Sequence, residues 1–230
     1  MRELLGVSFY TRFASMWMVA LLIVTLCLMG RVHFSALNSF VIAGFVLLIM
    51  LLYPVEVCVG SIRTLKPNLT MGEARLVETL EGISFVDEYA GGFPKVFNTR
   101  VMVSIGGFIV PIVLAAITFF SMSERLPALV LFMIVFIASY TATELKPPLG
   151  LITPSWIALL ALPIAYVLSA SDPSGVMLVG GVMGIAAGLV AWVFSISPDE
   201  EGAAELNLGG YGSFMAMYTS VCLAVLTAVA

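Results

Sequence analysis

One glutamate lies where a charge could do chemistry inside an apolar protein. Glu56 follows Pro54 by two residues, near the end of a long apolar stretch. A charged side chain at membrane depth is costly and by default suggests a function. Because proline frees a backbone carbonyl nearby, Glu56 could line a wet cavity; alternatively, its carboxylate simply reaches the membrane surface. Glu144 and Lys146 flank the end of another apolar stretch. These four residues would line a transport path under the functional interpretation and would anchor helix ends under the structural one.

Residues for metal, cofactor or hydrolytic chemistry form no recognisable pattern. His33 is the only histidine, and the three cysteines are scattered without a CxxC spacing, so no metal site and no cofactor are predicted. The sequence contains no GxSxG, HExxH, P-loop or dinucleotide-binding motif. An intramembrane aspartic protease needs two carboxylates facing each other, but Asp87, Asp172 and Asp199 all fall in predicted loops. No catalytic residue is therefore predicted, and the interpretation leans away from an enzyme.

Glycine and proline interrupt several apolar stretches and offer a second kind of site. The interruptions are Gly106, Gly107 and Pro111, then Pro148, Gly150 and Pro154, and finally Gly209, Gly210 and Gly212. Unwound backbone inside a helix bundle offers free N–H and C=O groups and often marks a binding site. The same interruptions also occur as simple kinks, so both interpretations stay open.

Gly180, Gly184 and Gly188 recur every four residues and therefore share one helical face. Such a face lets another backbone approach closely, which favours helix packing within the chain or with a partner. A substrate groove along the same face is the alternative.

The composition indicates that the candidate site residues lie in a membrane-embedded helix bundle. Of the 230 residues, 61% are apolar and only 10% are charged, and the mean hydropathy is +1.11. A soluble domain carries about 25% charged residues, so the outer surface must face lipid. The predicted fold is an all-α polytopic bundle that forms a single transmembrane domain over 1–230. The net charge of −4 argues against nucleic acid as a partner.

A helix needs about 20 apolar residues to cross the hydrocarbon core of a bilayer. This length places seven predicted spans at about 13–30, 37–60, 101–121, 126–143, 153–170, 175–196 and 210–229. The remaining polar segment, 61–100, is predicted to be a cytoplasmic loop. Within it, the apolar stripe Leu76, Val77, Leu80 and Ile83 predicts a short amphipathic helix.

Basic residues in the loops predict the orientation, because Lys and Arg are enriched on the cytoplasmic side. With the N-terminus inside, that side holds Arg2, Arg12, Arg63, Lys66, Arg75, Lys95, Arg100 and Lys146. The other side then holds only Arg31 and Arg125. The chain is therefore predicted to lie in a prokaryotic cytoplasmic membrane with its N-terminus inside and its C-terminus outside.

The interrupted segments resemble those of an uncharacterised family of bacterial and archaeal integral membrane proteins, catalogued as domain of unknown function sixteen-fourteen. The resemblance runs over residues 30–230 and rests on Phe34-Ser35-Ala36-Leu37, Ser104-Ile105-Gly106-Gly107-Phe108-Ile109-Val110-Pro111, Pro148-Leu149-Gly150-Leu151-Ile152-Thr153-Pro154 and Gly209-Gly210-Tyr211-Gly212-Ser213-Phe214. It implies an aspartate in the sixth helix and another just after the last glycine-rich segment. Here no acid lies around Gly188, and Met215 follows Phe214. Chemistry that depended on those aspartates is therefore not expected in this chain.

Three functions remain as expectations. The leading one is a non-enzymatic accessory subunit whose partners are the lipid bilayer and either other membrane proteins or a second copy of the chain. The alternative is a small-solute or ion transporter with a path near Glu56 and the interrupted segments. An intramembrane hydrolase is the third, and the placement of the aspartates disfavours it.

Overall fold

The computed structural model describes residues 2–34, 37–65, 96–146, 150–196 and 205–229. Its helices are α1 (Arg2–Leu28), α2 (Ser39–Leu52), α3 (Val110–Ser121), α4 (Arg125–Ala142), α5 (Trp156–Leu168), α6 (Pro173–Phe194) and α7 (Tyr211–Thr227). A π-helical turn, Ile105–Ile109, leads into α3. Its strands are β1 (Glu56–Leu65), β2 (Val96–Ser104), β3 (Glu144–Lys146), β4 (Gly150–Ile152) and β5 (Glu205–Leu208). The described chain is thus mostly helical, with one α-helix for each predicted apolar span.

The strands make the all-α prediction wrong in part. The predicted second span, 37–60, is helical only as far as Leu52, and the predicted third span, 101–121, begins with the end of β2. Pro54 cannot continue α2, and the alternating valines after it suit an extended backbone. A short apolar run has the same composition in a strand as in a helix, so the length rule for membrane helices extended both spans too far.

Three of the strands form a sheet in the order β1–β2–β5. β1 and β2 are antiparallel with a bulge between Cys58 and Gly60, whereas β2 and β5 are parallel. Val101, Leu206 and Leu208 are buried in the core of the protein, so one face of this sheet belongs to the core. β3 and β4 form a separate antiparallel pair. β1 and β2 occupy the two ends of the predicted polar loop 61–100, and the predicted amphipathic helix lies outside the described residues.

The helix α7 runs from one end of the bundle to the other. We name the end that carries the strands the strand end, and the opposite end, where α1 connects to α2, the loop end. At the strand end, the Thr153 amide donates to the Gly212 carbonyl at the start of α7, at 3.1 Å. At the loop end, the His33 amide donates to the Ala228 carbonyl just after α7, at 2.8 Å. The α3–α4 and α5–α6 turns also meet each other. These contacts describe helices that alternate in direction along the chain.

α6 forms the centre of the bundle. Most of its residues are buried, and α4 and α7 pack along different sides of it. α4 and α6 are the two described helices that are long and apolar enough to cross a membrane. The apolar stretch Ala14–Leu28 of α1 is shorter, as are the other apolar helices. The membrane-length stretch of α6 is 72% buried in the protein, whereas that of α4 is only 22% buried. α4 therefore presents most of its apolar surface outward.

Candidate functional site

The three interrupted segments meet at the strand end. Gly107, in the π-helical turn, lies against Gly209, so that a Cβ on Gly107 would stand 2.9 Å from the Gly209 carbonyl carbon. A Cβ on Gly212 would overlap the Leu151 carbonyl oxygen in β4. A Cβ on Gly150 would stand 2.9 Å from a carbonyl oxygen of β5. We name Gly107, Gly150, Gly209 and Gly212 the glycine junction, where backbone packs directly on backbone and no room remains for a side chain.

Two members of the glycine junction also require glycine for their own backbone conformation. The φ angle is +74° at Gly209 and +71° at Gly150, in the left-handed region that side chains disfavour. Gly209 lies in the turn between β5 and α7, and Gly150 begins β4. The glycines therefore allow both the turns and the close approach of the segments.

The other predicted interruptions surround the junction. Gly106 packs on the end of α2, where a Cβ would stand 2.5 Å from the Leu52 carbonyl carbon. Gly210 lies against the Asn207 side chain. Pro111 occupies the first turn of α3, a position that proline tolerates. Pro154 comes just before α5, and Pro148 lies outside the described residues.

Serine hydroxyls hold the interrupted segments in place. Ser104 Oγ accepts a hydrogen bond from the Gly107 amide at 3.0 Å and donates to the Tyr53 carbonyl at 3.0 Å. Ser213 Oγ accepts a hydrogen bond from the Gly209 amide at 2.9 Å. Both serines are fully buried. Three backbone groups at these breaks are thus bonded within the protein.

Glu56 reaches the strand end as the first residue of β1, after the chain turns at Pro54. Its carboxylate accepts a hydrogen bond from the side-chain amide of Asn207 in β5. The amide is oriented so that its nitrogen, Nδ2, faces the carboxylate and donates to it. Glu56 is exposed, whereas Asn207 Oδ1 is buried without a hydrogen-bond partner among the described residues. The carboxylate lies on a sheet and outside the helix predicted for it.

Asn207 is absent from the predicted site residues. Its signal in the sequence is a single amide between Leu206 and Leu208, directly before a glycine pair. That pattern predicts a strand with one polar side chain. Nothing local in it points to Glu56, which lies 151 positions earlier.

The remaining residues of the predicted path belong to a different strand pair. Glu144 begins β3 opposite Ile152, and Lys146 ends β3 opposite Gly150. Glu144 is exposed, and the side chain of Lys146 lies outside the described part. Glu144 and Glu56 therefore begin strands of two separate sheets at the same end of the bundle.

The glycines with four-residue spacing lie against α4. A Cβ on Gly180, Gly184 or Gly188 would stand 2.7 Å from the Cβ atom of a residue in α4, which is Leu131, Val135 or Ser139 respectively. Gly181, next to this row, faces Ser220 of α7 instead. α6 thus uses small residues on two faces to approach two neighbouring helices within the same chain.

A second polar cluster, which the sequence did not predict, lies at the loop end. The Glu124 carboxylate accepts hydrogen bonds from the hydroxyls of Ser169 and Ser171. These bonds, with that from Ser169 the stronger influence, lower the pKa of Glu124 below its ordinary value. Ser169 Oγ also accepts from the Asp172 amide at 3.0 Å, and Asp172 caps α6 by accepting from the Gly175 amide at 3.0 Å. We name Glu124, Ser169, Ser171 and Asp172 the Glu124 cluster, and it joins the α3–α4 turn to the α5–α6 turn.

Ligand-holding groups are sparse in the described part of the chain. There, no three His, Cys, Asp or Glu side chains lie close enough together to hold a metal ion. An open cavity of about 390 Å³ lies at the loop end, lined by Val32, His33, Phe34, Leu37, Asn38 and Ser39. Two of its polar side chains already form hydrogen bonds within the protein: Ser39 Oγ donates to the Val32 carbonyl at 2.6 Å, and Asn38 caps α2.

A family model described as "Protein of unknown function (DUF1614)" matches residues 50–227. The match includes all five strands, the helices α3 to α7 and the whole glycine junction. It agrees with the resemblance carried by the interrupted segments. No curated protein and no solved structure gives a significant match.

Proposed function

The chain belongs to the DUF1614 family, and from this premise and the geometry above we propose that it is a non-enzymatic accessory subunit of a membrane complex. In this proposal the seven helices cross a prokaryotic cytoplasmic membrane with the N-terminus inside. The alternating helix directions support it, because a multi-pass chain must reverse direction at each turn. The apolar outward surfaces support it as well, including exposed Leu126, Val167 and Phe194.

The glycine junction is the observation that carries the subunit role. An unwound segment in a transporter lines a cavity and offers its backbone to a solute. At the junction the three segments instead pack directly against one another and leave no cavity for a side chain. Ser104 and Ser213 form hydrogen bonds to backbone groups of these segments. Such contacts favour a rigid scaffold.

The outward face of α4 is the surface proposed for the partner. Met133 and Ile137 are 52% and 56% exposed on this face. Phe132, Phe136 and Tyr140 form a stacked row on the same helix, with ring centroids 6.2 and 6.4 Å apart. Preformed aromatic rows supply large contact area with little loss of side-chain freedom.

Affinity purification in mild detergent with mass spectrometry tests the subunit role. Wild-type protein is expected to retain a defined membrane partner or a second copy. Met133→Ala with Ile137→Ala is expected to lose that partner, whereas Leu159→Ala, a similarly exposed residue of α5, retains it. A monodisperse monomer without a partner would overturn the proposal.

A small-solute or ion transporter is the second candidate, and the Glu56–Asn207 pair favours it. A carboxylate beside a buried amide oxygen without a partner is a polar combination that a solute could complete. Proteoliposomes of the wild type would then take up solute, and Glu56→Gln would abolish the uptake. Equal uptake by both proteins, or no uptake of any tested solute, would remove the main reason to hold this candidate. A hydrolase receives no such support, since Asp172 caps a helix and Asp87 and Asp199 lie outside the described residues.

A further inference from the structure

Two of the outward-facing helices are short for a membrane-crossing protein. α2 has 14 residues and α5 has 13, which gives lengths of about 21 and 20 Å. The hydrocarbon core of a common bilayer is about 30 Å thick. Tilting a helix shortens the distance that it spans, so tilt would widen this difference.

Both helices have fixed ends. Asn38 caps α2 at its start, and Glu56 follows four residues after its end. Ser155 precedes α5, and Ser169 follows it within the Glu124 cluster. The apolar width at α5 is therefore close to the helix length itself. The helix α2 is equally short, although the exposed valines Val55, Val57 and Val59 continue the apolar surface onto the edge strand β1.

Aromatic side chains on α5 also indicate a narrow apolar width. Trp156 and Tyr166 are 49% and 50% exposed near the two ends of this helix. Exposed Trp and Tyr rings prefer the two membrane–water interfaces. These rings are ten positions apart, which corresponds to about 15 Å along the helix.

We propose that the lipid partner of this bundle, around α5, is a bilayer with a thinner hydrocarbon core than usual, which the protein either selects or creates locally. The inference rests on the proposed membrane-spanning role. The long helices α4 and α6, with 18 and 22 residues, then cross the same bilayer with a tilt or extend beyond it.

Reconstitution of the full chain into vesicles of dimyristoleoyl, dioleoyl or dierucoyl phosphatidylcholine tests the inference. With Trp17→Phe and Trp192→Phe, Trp156 becomes the sole tryptophan, and quenching by brominated lipid reports the relative affinity for each chain length. The short-chain lipid is expected to bind roughly twofold or more tightly than the longest, and thermal unfolding is expected to follow the same order. Insertion with equal or better affinity for the long chains would overturn the thickness inference alone. Failure to enter any vesicle would overturn the membrane-spanning proposal as well.

Substitutions at Tyr166 supply an independent check by thermal unfolding in the three lipids. Tyr166→Leu removes an interfacial anchor and is expected to weaken the preference for short chains. Tyr166→Trp keeps an amphipathic ring at the same level and is expected to preserve the preference. An unchanged preference in Tyr166→Leu would refute the anchoring argument on which the inference depends.

Discussion

Gly181 of α6 meets Ser220 of α7 with no room for a methyl group. A Cβ on Gly181 would overlap Ser220 Oγ, while Ser220 Cβ would stand at an ordinary 3.7 Å. Ser220 is fully buried, and its hydroxyl has no hydrogen-bond partner among the described residues. The obstacle to a Cβ on Gly181 is therefore a single hydroxyl oxygen.

Gly181→Ala is expected to lower the free energy of unfolding by about 1–3 kcal/mol, because the added methyl group overpacks this contact. Ser220→Ala alone is expected to be neutral or slightly stabilising, since it removes a buried polar group without a partner. The double variant should recover most of the loss. Thermal unfolding of the four proteins in one detergent measures this cycle. Strictly additive effects would show that the hydroxyl is not the obstacle.

The Glu124 cluster predicts a pH dependence of stability. Its pKa is lowered in the folded protein, so its stabilising contribution is present above the ordinary glutamate pKa and is lost as the pH falls through the lowered value. The nearby charged groups are Arg125, which bonds to the Phe120 carbonyl, and Asp172, whose charge acts in the opposite direction on Glu124.

Glu124→Gln is expected to unfold at a lower temperature than the wild type at neutral pH, because the two serines donate to different carboxylate oxygens and an amide has only one oxygen. The difference should disappear in acid, below the lowered pKa. Ser171→Ala, which removes one donor, serves as the matched variant with a smaller loss. A difference between Glu124→Gln and the wild type that is constant with pH would contradict the role given to the carboxylate.

At the scale of elements, the three segments of the glycine junction can pack together only if none of them carries a side chain at the contact. Gly107→Ala is expected to destabilise the protein by about 3 kcal/mol or more, since its Cβ would meet backbone atoms that cannot rotate away. Gly44→Ala in α2 is the control, because a Cβ there has nothing within 4 Å and improves helix propensity. Protease resistance and unfolding temperature compare the two. Equal tolerance of both variants would show that the segments do not pack as described.

The sequence predicts the helices better than their ends. Apolar length placed α4 within one residue at each end, because Glu124 and Glu144 bound that stretch closely. The same rule failed after Leu52, where the valines before and within β1 continue the apolar run although the backbone is extended. Hydropathy measures burial or lipid exposure, and it does not record which backbone groups pair.

The candidate site depends on contacts between distant parts of the chain, which explains what the sequence left out. The breaks at Gly107 and Gly209 are visible as glycine strings, yet their meeting follows from the packing of α2, α3 and α7. Asn207 gains its role only when β5 joins β2 and brings it within reach of Glu56. Single-sequence patterns identify the glycine strings as unusual without giving their partners, and they do not single out Asn207.

For the whole molecule, the proposed membrane orientation predicts that the strand end lies inside the cell. Cys58 in β1 is exposed at this end, whereas Cys27 and Cys222 are buried. A membrane-impermeant maleimide is therefore expected to label the wild type in inverted vesicles and not in intact cells. Ser123, exposed in the α3–α4 turn, lies at the loop end.

Ser123→Cys in a Cys58→Ala background supplies the opposite reporter, and it is expected to react in intact cells. The two sites are separated by one crossing, through α3, because β2 returns the chain to the strand end beside β1. Exchange of the two labelling patterns would invert the orientation, and reaction of both sites from the same side would mean that α3 does not cross. The second result would show that the bundle does not cross a membrane between its strand end and its loop end. The outward apolar faces would then have no reason to contact lipid.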